Sequence, residues 1–237
     1  MVAVILCGGL GTRLRGVVDD RPKVLAPVAG EPFLGYLLDH LQGQGISDIV
    51  LSTGHLGELV EDYVGSGDRW GVRVRCVREP EPLGTGGALR FVADALDVQE
   101  PFLVLNGDTF FSDALSQLVD FHAMRPEAQA TLALVEVMQA ARYGTVEADP
   151  KTGTVTAFLE KQPGRAGSAW INAGVYVLDP SLLSTIPPGR NVSLERDVFP
   201  RRIGRGLYAC PFPDATFLDI GTPEDYARAS QVLVRKT

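Results

Sequence analysis

Residues 8–13 read Gly-Gly-Leu-Gly-Thr-Arg and follow directly on the apolar run Val2-Ala3-Val4-Ile5-Leu6-Cys7; Pro22-Lys23 lies a little farther along. A glycine-rich turn at the carboxyl end of a strand presents backbone N–H groups that a polyphosphate can reach without meeting side chains. Arg13 and Lys23 add fixed positive charge to the same loop. Backbone donors and two cations together imply a nucleoside triphosphate site, with Leu6, Gly8, Gly9, Gly11, Thr12 and Arg13 as the expected contacts. A plain glycine-rich β-turn is the alternative, but it leaves the paired cations unexplained. The loop is not a P-loop, because no Lys-Ser or Lys-Thr follows the glycines. It also departs from the dinucleotide fingerprint, since Leu14 stands where the third glycine would allow close packing of helix on strand.

Three further segments could share that chemistry. Leu105-Asn106-Gly107-Asp108 ends an apolar run. A carboxylate beside a triphosphate would repel it unless a divalent cation lay between them, so Asp108 reads either as a metal ligand or as part of a turn. Glu81-Pro82-Leu83-Gly84-Thr85-Gly86-Gly87 is a second glycine-rich turn opening a helix. There the amides of Gly84, Thr85 and Gly86 are expected to donate to a base carbonyl. Glu79 and Glu81 bear on which base: guanine presents two adjacent donors, N1–H and the exocyclic amine, which a carboxylate accepts, whereas uracil presents one N–H between two carbonyls. The alternative is a pair of surface glutamates beside proline. His40, His55 and His122 show neither metal nor triad spacing.

These residues need a scaffold, and the sequence describes one. A continuous apolar run such as Val2–Cys7 marks a strand buried on both faces. Helical spacing at Phe33, Tyr36, Leu37, Leu38 and Leu41 gives a first helix. A strand at Ile49–Leu51 follows, then a helix through Leu59, Val60 and Tyr63, a strand at Val72–Val77 and a helix from about Gly86 to Leu96. Phe102–Leu105 is the next strand, before a helix near Leu115–Met124 and a strand at Thr131–Val137. This alternation predicts an α/β fold, a mostly parallel sheet with helices on both faces. Beyond residue 137, Tyr143–Ala148 and Thr154–Phe158 flank Asp149-Pro150-Lys151-Thr152-Gly153 as a hairpin, and Ile171–Val177, Leu207–Phe212 and Thr216–Leu218 read as strands. Thr222 should cap a closing helix that starts at Pro223.

The chain has 237 residues, 45% of them hydrophobic and 22% charged, with a net charge of -7. That length suits one domain, and no Lys/Arg run marks a nucleic-acid face. No stretch reaches the ~18 apolar residues of a membrane span. The first residues lack the basic region and cleavage site of a signal peptide. Cys7, Cys76 and Cys210 lack metal spacing and are expected to be buried reduced thiols in a cytoplasmic protein.

G-G-x-G-T-R followed by P-K resembles the signature loop of the sugar-1-phosphate nucleotidylyltransferases, although that family usually has Lys-Pro where this chain has Lys23-Val24. The resemblance extends to Asn106-Gly107-Asp108 and to Asp219-Ile220-Gly221-Thr222-Pro223-Glu224-Asp225-Tyr226. It implies that Asp108 and Asp219 together hold Mg²⁺. It also implies a Rossmann-like sheet over residues 1–137 for the nucleotide, and a mixed sugar-phosphate half over 138–237 with its cleft at the strand carboxyl ends. In that second half Lys161 would hold the sugar phosphate as a point charge and Glu160 would accept from vicinal hydroxyls, with a solvated Glu-Lys pair as the ordinary alternative. Here Gln162 separates the pair from Pro163, a small departure from the family's Glu-Lys-Pro. Gly144, Asn172 and Glu195 are the remaining sugar contacts implied. The loop, the second glycine turn and the absence of a hexapeptide β-helix after the closing helix are most similar to the branch that guanylylates D-glycero-α-D-manno-heptose 1-phosphate. Mannose-1-phosphate guanylyltransferases and an N-acetylmuramate 1-phosphate uridylyltransferase are close in pattern. The expected reaction joins GTP and a sugar 1-phosphate, with Arg13, Lys23 and Lys161 as its cationic catalytic residues. The expected product is a GDP-sugar, and a homodimer is compatible with the sequence.

Overall fold

A computed structural model describes residues 1–9, 20–138, 144–159 and 167–233 of the chain. Its centre is strand β1 (Val2–Leu6), which pairs in parallel with β4 (Asp48–Thr53) on one side and with β6 (Phe102–Asn106) on the other. β5 (Arg73–Arg78) extends the sheet in parallel beyond β4. Successive side chains of a strand point to opposite faces, and both faces of β1 are covered. Ala3 and Ile5 join the core cluster beneath helices α1 (Phe33–Gly43) and α4 (Leu115–Ala123), while Val4 packs into a second cluster with α3 (Gly84–Leu96). Two buried faces are why the run carries no polar alternation.

Among the described residues the sheet has nine strands and is mixed. β11 (Ala169–Leu178) lies antiparallel to β6 and to β8 (Ala130–Val137), and β12 (Leu207–Phe212) runs parallel to β8. The hairpin predicted around residues 149–153 forms between β9 (Thr145–Ala148) and β10 (Val155–Leu159) and joins the same sheet through β11. Strands from both sides of residue 137 therefore share one sheet.

Helix α2 (Gly57–Val64) and the closing helix α6 (Pro223–Val232) stand where periodicity and capping put them; the Thr222 side chain accepts from the Asp225 amide at the start of α6. The short ribbon β2 (Pro27–Val28) with β3 (Glu31–Pro32), strand β7 (Thr109–Phe111) and helix α5 (Pro180–Leu183) had no sequence signal, whereas β13 (Phe217–Asp219), which pairs with β7, is the strand expected at Thr216–Leu218. Cys7 and Cys210 are buried free thiols, but Cys76 is only half-buried, a correction to the expectation for all three. Among the described residues no helix is long and apolar enough to cross a membrane.

The pairing also fixes where a cleft can form. Leu6 pairs with Ser52 on β4 and with Asn106 on β6, so three parallel strands end level. From β1 the chain proceeds to β4 and β5 on one side, then returns to β6 on the other. That reversal leaves a crevice outside the strand carboxyl ends, the general location of ligand sites in open α/β sheets.

Candidate functional site

A cleft of about 540 Å³ opens at that crevice, walled by Leu6 to Gly9, Lys23, Ser52, Glu79, Gly84, Thr85 and Asn106 to Asp108, among others. Its floor requires glycine. Gly107 donates to the Leu6 carbonyl at 3.0 Å, and a β-carbon there would sit 2.5 Å from that same oxygen. A β-carbon on Gly8 would overlap the Glu79 carboxylate. The bare backbone of the first loop is thus backed directly by a carboxylate.

Glu79 follows β5 and is only 8% exposed. Its Oε2 accepts from the Leu83 amide at 3.2 Å, and burial pushes its pKa above the ordinary carboxylate range despite that bond. Glu81 is exposed and outside the described cleft wall, so of the two glutamates Glu79 is the one that faces the cleft. Cys7 also reaches the wall, where burial raises its pKa and keeps it a thiol.

The second glycine turn works differently from the sequence expectation. The Gly86 and Gly87 amides donate to the Val192 carbonyl at 2.8 and 3.2 Å, and Val192 donates back to the Leu83 carbonyl at 2.8 Å. The Gly86 amide is therefore committed to the 190–195 segment and unavailable to a base. The Thr85 side chain joins the same segment: its hydroxyl donates to Glu195 Oε2 at 2.9 Å and accepts from the Leu194 amide at 2.8 Å. Gly84 and Thr85 still line the cleft.

Asp108 and Asp219 come together because β7, which begins just after Asp108, pairs antiparallel with β13; Asp219 stands opposite Thr109. The Ile220 amide donates to the Asp108 carbonyl at 2.9 Å and ties the two loops. Lys23 projects between the carboxylates, with Nζ 2.6 Å from Asp108 Oδ2 and 3.9 Å from Asp219 Oδ1. It stands on a 3₁₀ turn, Lys23–Leu25, whose Val24 and Leu25 are buried, so core packing fixes the turn where the family's proline is missing. Asp219 Oδ1 also accepts from the Gly221 amide at 2.5 Å.

On the β11 side, the Asn172 side chain donates to the Tyr176 hydroxyl at 2.8 Å and accepts from the Gly174 amide at 2.9 Å. Tyr176, fully buried, donates to Glu195 Oε1 at 3.2 Å, while Ser193 Oγ donates to Oε2 at 2.9 Å. Glu195 is thus held by three side-chain hydroxyls on both oxygens. Asn172 and Glu195 bond to each other's neighbours behind the cleft wall, and neither is among the residues that line it. Gly144 is exposed at the start of β9. Gly11, Thr12, Arg13, Glu160 and Lys161 lie outside the described residues. Asn191 and Arg196, unremarked in the sequence, line the cleft. Nothing local separates them from ordinary loop residues.

The nucleotidyl transferase family profile matches residues 2–236. The chain is 40% identical to a mannose-1-phosphate guanylyltransferase of Mycobacterium tuberculosis over 98% of its own length, and it spans 64% of that protein. It is 37% identical to the D-glycero-alpha-D-manno-heptose 1-phosphate guanylyltransferase of Aneurinibacillus thermoaerophilus, over 98% of both chains. The crystal structure of HddC from Yersinia pseudotuberculosis complexed with GMP-PN superposes with a TM-score of 0.84 at 33% identity, covering 98% of each chain.

Proposed function

The chain belongs to the nucleotidyl transferase family, and we propose that it transfers a guanylyl group from GTP to a sugar 1-phosphate, releasing pyrophosphate. D-glycero-α-D-manno-heptose 1-phosphate is the preferred sugar in this reading, and mannose 1-phosphate is the alternative. The observation that carries the reaction class is the Lys23 ammonium set between two carboxylates, at the level carboxyl ends of three parallel strands. The buried Glu79 at the same cleft supports guanine.

A phosphate oxygen of the sugar 1-phosphate attacks the α-phosphorus of GTP in line; the new P–O bond forms as the bond to the β-phosphate's bridging oxygen breaks. The nucleophile is already an anion, so no general base is required. Bringing two anions together makes charge neutralisation and alignment the main tasks. Lys23 stands near the transferred phosphate, Arg13 and the loop amides receive the departing pyrophosphate, and Lys161 holds the sugar phosphate.

Asp108 and Asp219 suit Mg²⁺. Their oxygens already converge on one cationic group, and Mg²⁺ is commonly held by one or two carboxylates with substrate phosphates completing its shell. When bound, the ion would screen the repulsion between the triphosphate and the incoming phosphate. A cytoplasmic setting fits the three free thiols, and light scattering of the purified chain would test for a homodimer.

The test is a pyrophosphate-release assay crossing GTP, UTP and ATP with heptose, mannose, glucose and N-acetylmuramate 1-phosphates, with products identified by mass. GDP-heptose formed fastest is the expected result. A preference for UTP, or no product from any pair, would overturn the reading.

A further inference from the structure

Arg196 belongs to a five-residue turn, Leu194–Val198, whose other polar groups are already committed. The Ser193 hydroxyl accepts from the Arg196 amide at 3.3 Å, and Asp197 Oδ2 accepts from the Ser193 amide at 2.8 Å. These reciprocal bonds close the turn as a capping box does. Leu194 and Val198 are buried beneath it. Glu195 points away into the hydroxyls of Thr85, Ser193 and Tyr176. Both acidic neighbours of Arg196 are therefore bonded to other groups.

The guanidinium is left at the cleft. Arg196 is exposed and forms part of the cleft wall, and among the described residues it has no ion pair. Lys23, by contrast, is already occupied by Asp108. In a chain of net charge -7, a cation kept clear of carboxylates at the mouth of a cleft is placed for an anion from solution. Arginine's planar fork suits two oxygens of one phosphate. The turn bridges two parts of the cleft: Glu195 and Tyr176 tie it to Asn172 on β11, in the expected sugar half, and Glu195 and Leu194 tie it to Thr85 at the start of α3. Because the triphosphate is expected at the Gly8–Gly9 loop, the phosphate left for a cation on the β11 side is the sugar's.

We infer that Arg196 binds the phosphate of the sugar 1-phosphate, and that Glu195 is a positioning residue that holds the turn in place for it. The inference rests on the guanylyltransferase reading above. It adds to the cleft a second cation for the nucleophile, one that the sequence motifs do not mark.

The experiment measures KM for sugar 1-phosphate and for GTP in the wild type, Arg196→Ala, Arg196→Lys and Glu195→Gln, together with equilibrium binding of mannose 1-phosphate by calorimetry without GTP. Arg196→Ala should raise the sugar-phosphate KM and Kd at least tenfold and leave the GTP KM within twofold. Arg196→Lys should recover part of that loss, because it restores charge without the fork. Glu195→Gln keeps one carbonyl acceptor and should give a smaller rise in the same KM. Thermal midpoints of the Arg196 variants should match the wild type, since the side chain is exposed. An unchanged sugar-phosphate KM and Kd in Arg196→Ala, or a rise confined to GTP, would overturn the inference while leaving the reaction intact. Absence of turnover by the wild type with every sugar phosphate would sink the reading and the inference together.

Discussion

Replacing Glu79 with glutamine exchanges one oxygen for an amide and removes one charge from a wall that leaves little room for rearrangement. Oε2 of Glu79 accepts from the Leu83 amide, and Oε1 lies against Gly8 and Gly54, where β-carbons would collide with it. In the glutamine variant the remaining carbonyl oxygen is claimed by the Leu83 amide. The NH₂ is then left where Oε1 was, facing the N1–H and exocyclic amine of guanine, so a donor meets donors. A hydrogen bond to a charged group is worth about 1.5–3 kcal/mol. At ~1.4 kcal/mol per decade, GTP use should fall roughly 12- to 140-fold in kcat/KM. UTP should lose much less, so the GTP-to-UTP ratio is the quantity to measure, by competition with product masses as the readout.

The same substitution has a pH signature. Burial raises the folded-state pKa of Glu79 above its unfolded value, so its ionisation opposes folding. The wild type should match Glu79→Gln in stability below the ordinary carboxylate range. It should lose stability relative to the variant as pH rises from there through the raised folded pKa. A GTP-to-UTP ratio in Glu79→Gln within about threefold of the wild type would refute the base-reading argument, because it sets the loss below ~0.7 kcal/mol. Base choice would then lie with the backbone of the second glycine turn, where Gly84 and Thr85 still line the cleft.

Asp108→Asn should lower kcat by more than tenfold, over ~1.4 kcal/mol, with an unchanged circular dichroism spectrum, because it removes charge but keeps shape; retention of a tenth of wild-type kcat or more would contradict the metal role. Lys161→Ala should raise KM for sugar phosphate more than KM for GTP, and the reverse pattern in steady-state kinetics would assign this lysine to the nucleotide. Gly107→Ala should destabilise the fold by about 1–3 kcal/mol, the usual cost of overpacking. Its β-carbon would press on the Leu6 carbonyl and, at 2.8 Å, on a Val24 methyl. Urea unfolding would check this, and an unshifted midpoint would mean that the floor yields.

What the chain alone could fix is what short-range physics writes. The run Val2–Cys7 announced a strand covered on both faces, and Thr222-Pro223 announced a helix start that the structure reproduces hydrogen bond by hydrogen bond. Both signals depend on side-chain periodicity or on groups three residues apart, so a few neighbouring residues suffice to read them. The paired carboxylates were different. Asp108 read either as a metal ligand or as part of a turn, and only a family resemblance joined it to Asp219. Their meeting depends on the β7–β13 ribbon: a strand at Thr216–Leu218 was legible, but β7 is too short to leave a pattern and nothing local tells which strand it pairs with. The glutamates, the glycine turn and the 193–198 segment were decided later still. Whether Glu79 or Glu81 faces the cleft, and whether the Gly86 amide remains available, depends on which distant groups reach them first. Val192 takes that amide, and the hydroxyls of Thr85, Ser193 and Tyr176 take Glu195. A buried polar group must find a partner, and which partner it finds is set by packing between segments far apart in the chain. That competition is absent from the sequence until the fold brings donors and acceptors together, so Arg196, the cation left over from it at the cleft, became visible only in the tertiary structure.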